Sequence, residues 1–362
     1  MPRQDFLVGA ALFAVMLAAV GAATALIVRR RLRHLAALER GLASIVIGTA
    51  LLIAVHLVPL ALGVLARGTV LVACGLAAGL ALLVAPAVAE EEPADAERSP
   101  PASGRTSWVL ALSAAAFTAA AALADLGRWA GDEVVGDDPT SFHLPGVGRW
   151  IQDGTMWQID QFVPLLAQGY YPNNGDVVML ATILPWHNDF LVRVPAVLFL
   201  VVTAVAVFAI ARELRAPPAA CVLAAVAIVS LPVVGRVTIP RALPDSLMWA
   251  TFACGILFAL RHARTARRSD LVLAAVALGI AAGTKWYGVS SVPVAIGVWA
   301  GARLLGARGA GDPAAARRLV LGDAALASAL ALAGMLAWLV RNLALAGNPL
   351  FPLKLGPFNA PP

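Results

Sequence analysis

Charge is scarce in this chain. Only 13% of its 362 residues are Asp, Glu, Lys or Arg, against 60% from the apolar set, and the mean hydropathy is +0.82. A soluble core does not need that much apolar sequence, and repeated apolar runs near bilayer length argue for a polytopic helical membrane protein. Cysteine is nearly absent. Cys74, Cys221 and Cys254 have neither paired nor CxxC spacing, which leaves no basis for a disulfide framework or a zinc site and reads as small apolar packing. No HxxxH or HxH spacing occurs among the five histidines, so no metal centre is indicated. There is no obvious internal repeat. A signal peptide is not expected either, because the first apolar run, 6–28, is too long for a signal core and lacks a charged leader and a small-residue cleavage site.

What is present is a series of ten apolar runs, at about 6–28, 41–66, 69–89, 108–126, 190–210, 219–234, 246–260, 271–283, 289–305 and 319–340. Arg29, Arg30, Arg31, Arg33 and His34 follow the first run, and the positive-inside rule places that end in the cytoplasm. Later basic clusters, Arg212 with Arg215, then Arg261 to Arg268, then Arg303 to Arg318, fall on every second connection, so all of them land on the same side. The expectation is an all-α polytopic membrane protein with about ten transmembrane helices. Residues 1–89 carry the first helices, 90–107 (EEEPADAERSPPASGRTS) read as a flexible cytoplasmic linker, and 108–362 form the remaining core. The pI near 9.9 and net charge of +6 come from short inner loops. They fit topology and contact with anionic membrane lipids, and no nucleic-acid partner is expected.

The one long polar interval is 131–189, expected on the outer face. It holds eight of the 21 acidic residues, with Arg149 as its only Arg or Lys. Leu144, Val147, Trp150 and Ile151 keep helical spacing there, which predicts a short amphipathic helix lying on the bilayer surface with Trp150 at the headgroups. The turns 236–245 and 285–287 and the tail 341–362 are expected on the same face.

Within these outer segments several residues have the chemistry of a site. Asp137 and Asp138 are adjacent carboxylates, able to serve as a general base toward a hydroxyl nucleophile, or as a turn pair before Pro139. Asp245 follows Pro244 at a helix start, where capping is the plainer role. Lys285, Arg236, Arg241 and Arg341 stand against the basic-inside pattern, each at an outer helix end. Four such cations suit an anionic ligand such as a lipid phosphate, and any one alone suits snorkelling to the headgroups. His143 and His187 flank the loop and read as hydrogen-bonding groups. The tail Arg341-Asn342 with Gly347-Asn348-Pro349 reads as a helix end, a tight turn and an extended outer strand.

These segments, in order, resemble the GT-C superfamily of polytopic glycosyltransferases, related to protein O-mannosyltransferases and aminoarabinose transferases. The resemblance is carried by Asp138 with His143 and Trp150-Ile151-Gln152, by Tyr171-Pro172-Asn173-Asn174 with Asp176, and by Arg193-Val194-Pro195. It continues through Asp245, Gly283-Thr284-Lys285, and Arg341-Asn342 with Gly347-Asn348-Pro349 and Phe351-Pro352. It covers about 108–362, and the first three spans lie outside it.

The resemblance implies an inverting transfer of a sugar from a polyprenyl-phosphate donor to a glycan, lipid or protein acceptor on the extracytoplasmic face of the cell membrane. In that scheme Asp138 is the base, with Asp137 as its alternate. Lys285, Arg241 and Arg341 hold the donor phosphate, Asp245 orients Lys285, Arg241 or the acceptor, and His143, Asp176 and Arg193 support the loop. No cofactor is implied; a divalent metal is compatible with the scheme but not indicated. Two departures stand out: Phe142 and Gly146 occupy positions where the family commonly has Tyr and a basic residue, and the chain ends at 362 where relatives usually continue with further spans. A carrier or flippase for a lipid-linked sugar would use the same outer cations, but its pathway would place ionisable residues midway along several helices. Here the runs are Ala-, Leu- and Val-rich, interrupted chiefly by His56 and Asp323.

Overall fold

The computed structural model describes residues 1–84, 101–129, 132–159, 167–309 and 311–354. Long apolar stretches rich in Ala, Leu and Val satisfy their backbone internally as helices, which is what a hydrocarbon environment requires. The chain runs through α1 (Arg3–Arg31), α2 (Ala37–Ala61), α3 (Arg67–Val84), α4 (Arg105–Trp129), α5 (Leu144–Asp153), α6 (Asn174–Ile183) and α7 (Val194–Glu213). It continues through α8 (Pro218–Val229), α9 (Asp245–Thr265), α10 (Arg268–Ala282), α11 (Trp286–Gly306), α12 (Pro313–Ala333) and α13 (Leu336–Ala346). No strand occurs among the described residues. Local sequence sets several boundaries. Proline opens α7, α8 and α12 within their first two positions, Asp312 accepts from Ala314 N and Ala315 N at 3.0 Å, and Gly154 (φ 69°) and Gly347 (φ 65°) end α5 and α13.

A helix stands at each of the ten expected runs. By length and apolar composition, six of the described helices are able to cross a bilayer: α1, α2, α4, α7, α9 and α11. The count is seven if α12 and α13, bent by 60° at their break, form one span. The other expected spans are short. α8 has 12 residues and α10 has 15, about 18 and 23 Å of helix against a hydrocarbon core of about 30 Å. α10 is nonetheless the centre of the bundle. It is buried along nearly its whole length against α9, α12, α11 and α2, while α7 packs broadly on α9 and α1 on α3. The expected linker falls mostly outside the described residues; 101–104 are irregular and α4 begins at Arg105.

Two expectations for the 131–189 interval are corrected. Its second half is not an exposed stretch of an outer helical loop, because every residue of α6 is buried, packed against α2, α5 and α9. The run Val177 to Ile183 is apolar on all sides, so it belongs inside once Asn173, Asn174 and Asp176 at its start find partners. α5 forms as the spacing predicts, but its apolar face covers protein rather than lipid. Val147 is fully buried, and the Trp150 ring stacks on Trp338 of α13 at 5.9 Å and 17°.

Candidate functional site

The ends of α6, α10, α12 and α13 are tied together by one asparagine. The Asn174 backbone N–H donates to Gly283 O at 2.8 Å, closing the end of α10 against the start of α6. Its side-chain amide donates to Gly334 O (2.9 Å) and Ile280 O (3.3 Å), and its Oδ1 accepts from Trp338 Nε1 at 2.8 Å. Gly334 lies in the break between α12 and α13, so this one side chain satisfies backbone groups that the bend leaves open. Gly283 has to be glycine here: a Cβ would fall 2.1 Å from Asn174 Nδ2 and 2.4 Å from Gly334 O. Two residues further on, the chain reaches Lys285 in extended backbone and starts α11.

Arg341 lies inside this assembly. It is 1% exposed, with Nη1 donating to Asn173 Oδ1 (3.1 Å), Nη2 to Tyr171 O (3.1 Å), and Nε and Nη2 to Asn342 Oδ1. Its guanidinium lies 5.0 Å from the Trp338 ring centre, a cation–π contact. Asn342 in turn donates to Tyr170 O at 2.8 Å. The expected outer cation is thus a strut between α13 and the segment before α6. The described part of the tail folds back in turns, where Asn348 Nδ2 donates to Leu353 O at 2.8 Å; residues 355–362 of the expected strand lie outside the described residues.

Asp245, the first residue of α9, accepts from the Tyr287 hydroxyl, and its Oδ2 lies 3.2 Å from Lys285 Nζ. Lys285 is 9% exposed, whereas the Tyr287 side chain reaches the surface. Asp245 is the first residue of α9, behind Pro244 at the N-cap, and its carboxylate turns to the start of α11.

The loop before α5 is held from two sides. Arg193 donates through Nε to Pro240 O (3.1 Å), through Nη1 to Trp129 O (2.9 Å) and Asp132 O (2.7 Å), and through Nη2 to Glu133 O (2.7 Å). Next to this anchor, the Arg241 side chain lies across Gly136, whose φ is 120°; a Cβ there would sit 3.0 Å from Arg241 Cδ. Arg241 thereby stands beside the Asp137-Asp138 pair. Asp137 is exposed and Asp138 half-buried, and neither caps the π-turn Pro139–His143 that follows. At the end of that turn His143, 3% exposed, bonds through Nδ1 to Asp176 Oδ1 at 2.6 Å, and Asp176 Oδ2 accepts from Asn173 Nδ2 at 2.5 Å. A cavity of about 30 Å³, room for a water, opens beside Asp176, Asn173, Arg341, Arg149 and Trp150.

Between α9 and α11, with α10 as its floor, runs an apolar groove of about 640 Å³. Ser290 and Ser291 line it one turn into α11 from Lys285, Phe252, Leu278 and Val294 line its length, and Trp299 and Ala302 line its far end. Beyond that end Arg303 Nη1 bonds to Asp323 Oδ2 at 2.6 Å, with His262 Nε2 at 3.7 Å.

Of the residues singled out from sequence, the structure joins Asp245 to Lys285, His143 to Asp176, and Arg241 to the Asp137-Asp138 loop, and it draws Arg341 away into the interior. His187 takes φ 52° in an exposed turn after α6. Among the described residues no three His, Cys, Asp or Glu side chains gather as a metal-holding group. Tyr287, Asn174 and Trp338 had no assigned role in the sequence reading. Asn174 stood within a quoted motif and Tyr287 within a quoted turn; for Trp338 nothing in its local sequence points to a partner far away in the chain.

Helices of this length and composition, with their polar residues gathered at shared helix ends, define a multi-pass membrane protein of the all-α class. Residues 177–308, from within α6 through α11, are similar to the family described as dolichyl-phosphate-mannose-protein mannosyltransferase. Arg193, Arg241, Asp245 and Lys285 lie inside the match; Asp137, Asp138, His143, Asp176 and Arg341 lie outside it. No curated protein and no solved structure matched the chain in the same comparisons.

Proposed function

We propose that the protein transfers a sugar from a polyprenyl-phosphate donor to an acceptor on the extracytoplasmic face of the membrane, with inversion at the anomeric carbon. The observation that carries this reading is the apolar groove that ends one turn from Lys285. A hydrocarbon-lined channel between two helices, with a buried ammonium about one turn of α11 before the serines that line it, suits a lipid whose chain lies in the groove and whose phosphate meets the cation.

In this scheme Lys285 and the Tyr287 hydroxyl, both arranged by Asp245, face the donor phosphate, and Arg241 approaches from the loop side. Asp138 removes the proton from the acceptor hydroxyl, with Asp137 as its alternate, while the acceptor oxygen attacks the anomeric carbon. The bond from that carbon to the phosphate oxygen breaks, and the electron pair leaves with polyprenyl phosphate. The cations stabilise the charge that builds there. Arg341 acts through the strut it forms rather than by touching phosphate. Orientation rests on the basic clusters, which the positive-inside rule assigns to the cytoplasm.

The test is release of polyprenyl phosphate from labelled lipid-linked sugars in proteoliposomes. Turnover by the wild type that is lost in Asp138→Asn with donor binding kept supports the scheme. Donor binding without turnover in the wild type, abolished by Lys285→Ala, would replace it with a carrier or donor-binding role.

A further inference from the structure

The far end of the apolar groove carries a group of ionisable side chains that the transfer scheme does not use. Arg303 Nη1 bonds to Asp323 Oδ2 at 2.6 Å, and these side chains are only 15% and 20% exposed. His262 Nε2 lies 3.7 Å from the same carboxylate oxygen. The three come from three helices, His262 from α9, Arg303 from α11 and Asp323 from α12. Taking charges out of water is costly, and ionisable residues within membrane helices mark positions with a task.

The triad also fixes a ring. Arg303 Cζ lies 5.3 Å from the centre of the Trp299 ring, and the His262 ring lies 5.4 Å from it, tilted by 46°. Trp299 Nε1 is buried and finds no hydrogen-bond partner among the described residues, so stacking and charge hold the indole in place. Trp299 lines the groove together with Ala263 of α9 and Ala302 of α11, and the residue after Ala302 is Arg303 itself. The apolar wall thus stops at a charged group. A hydrocarbon chain advancing beyond Trp299 would strip the remaining water from the Arg303 and Asp323 side chains without supplying a hydrogen bond.

We infer that Trp299, backed by Arg303, Asp323 and His262, is a stop that fixes how many isoprene units of the donor lipid the protein reads. The inference rests on the transferase reading, in which the lipid phosphate meets Lys285 and the chain lies along α11. From Ser290 to Ala302 that helix advances about 18 Å, and from Lys285 about 25 Å, at about 1.5 Å per residue. An extended isoprene unit adds four carbon–carbon bonds of about 1.5 Å, which zigzag to an advance of about 5 Å. The distance from the ammonium to the stop therefore takes about five units. Later units of a longer lipid turn aside into the bilayer and touch nothing that the protein can recognise.

The experiment measures binding of polyprenyl phosphates of increasing chain length to the full chain in lipid nanodiscs. Groove contacts replace lipid contacts rather than water, so affinity should rise only about twofold per unit, and it should level off at about five units. Affinity independent of length, or still rising through the longest chain, overturns the stop. Exchanging the ion pair for apolar side chains, Arg303→Leu with Asp323→Leu, avoids stranding a lone buried charge and should move the plateau to longer chains; so should Trp299→Ala. A plateau unmoved in both variants overturns the assignment. Photoreactive polyprenyl phosphates test the placement without any variant. A diazirine on the first unit should label the protein around Ser290, and one on about the fifth unit around Trp299; the reverse order, or labelling outside the groove, overturns it. A wild type that shows the plateau and transfers no sugar overturns the transferase reading alone, and one that binds no polyprenyl phosphate overturns both.

Discussion

Lys285 Nζ lies 3.2 Å from Asp245 Oδ2, and that pair joins the start of α11 to the start of α9, about one turn of α11 before the Ser290 and Ser291 that line the apolar groove. Lys285→Met removes this cation and leaves Asp245 with only the Tyr287 hydroxyl. A hydrogen bond to a charged group contributes about 1.5 to 3 kcal/mol, so donor affinity should fall about tenfold to a hundredfold. Binding of a labelled lipid-linked sugar to the purified protein measures it; affinity equal to wild type would remove Lys285 from the phosphate site.

Arg341→Lys separates a phosphate ligand from a strut. Lysine keeps the charge but has no planar fork to reach Asn173, Tyr171 O and Asn342 together. The expected loss is about 1 to 3 kcal/mol of stability, seen as a lowered Tm in detergent, with donor affinity changed far less than in Lys285→Met. The opposite pattern would return Arg341 to the phosphate.

Gly283→Ala should destabilise by about 1 to 3 kcal/mol, because its Cβ would overlap Asn174 Nδ2 and Gly334 O. Asn174→Ala should cost at least as much, since it strands the Trp338 N–H and the Gly334 carbonyl in the interior. Thermal unfolding of both variants checks this, and an unperturbed Tm in both would mean that the junction relaxes freely.

Val294→Trp places a bulky ring in the wall of the groove at a position that is 64% exposed, so the fold should tolerate it. The KM for a long-chain polyprenyl donor should rise about tenfold, roughly 1.4 kcal/mol of lost apolar contact, while a short-chain analogue is little affected. Equal effects on both donors would place the chain elsewhere.

The Asp138→Asn and Asp137→Asn pair distinguishes the base from its alternate. Loss of the base should lower kcat by about 100- to 10,000-fold, with the larger effect at the half-buried Asp138 rather than the exposed Asp137. A larger effect at Asp137 exchanges the two roles.

The amino-acid sequence by itself determined the membrane class, the position of each long helix, and the identity of most polar residues that gather at the helix ends. Hydropathy, proline and glycine act over one or two turns, and local sequence records them directly. Which polar residues pair was decided only by tertiary structure. Asn174 meets Trp338 across 164 positions, and Arg341 meets Asn173 across 168. In isolation Arg341 is an outer cation and α6 the end of a loop. Both are interior, because the apolar run of α6 gains by burial and its asparagines and aspartate find donors and acceptors on α10, α13 and the π-turn. The surface helix expected at α5 was displaced by the same packing: Trp150 found Trp338 instead of a headgroup, a choice between two apolar partners that periodicity cannot distinguish.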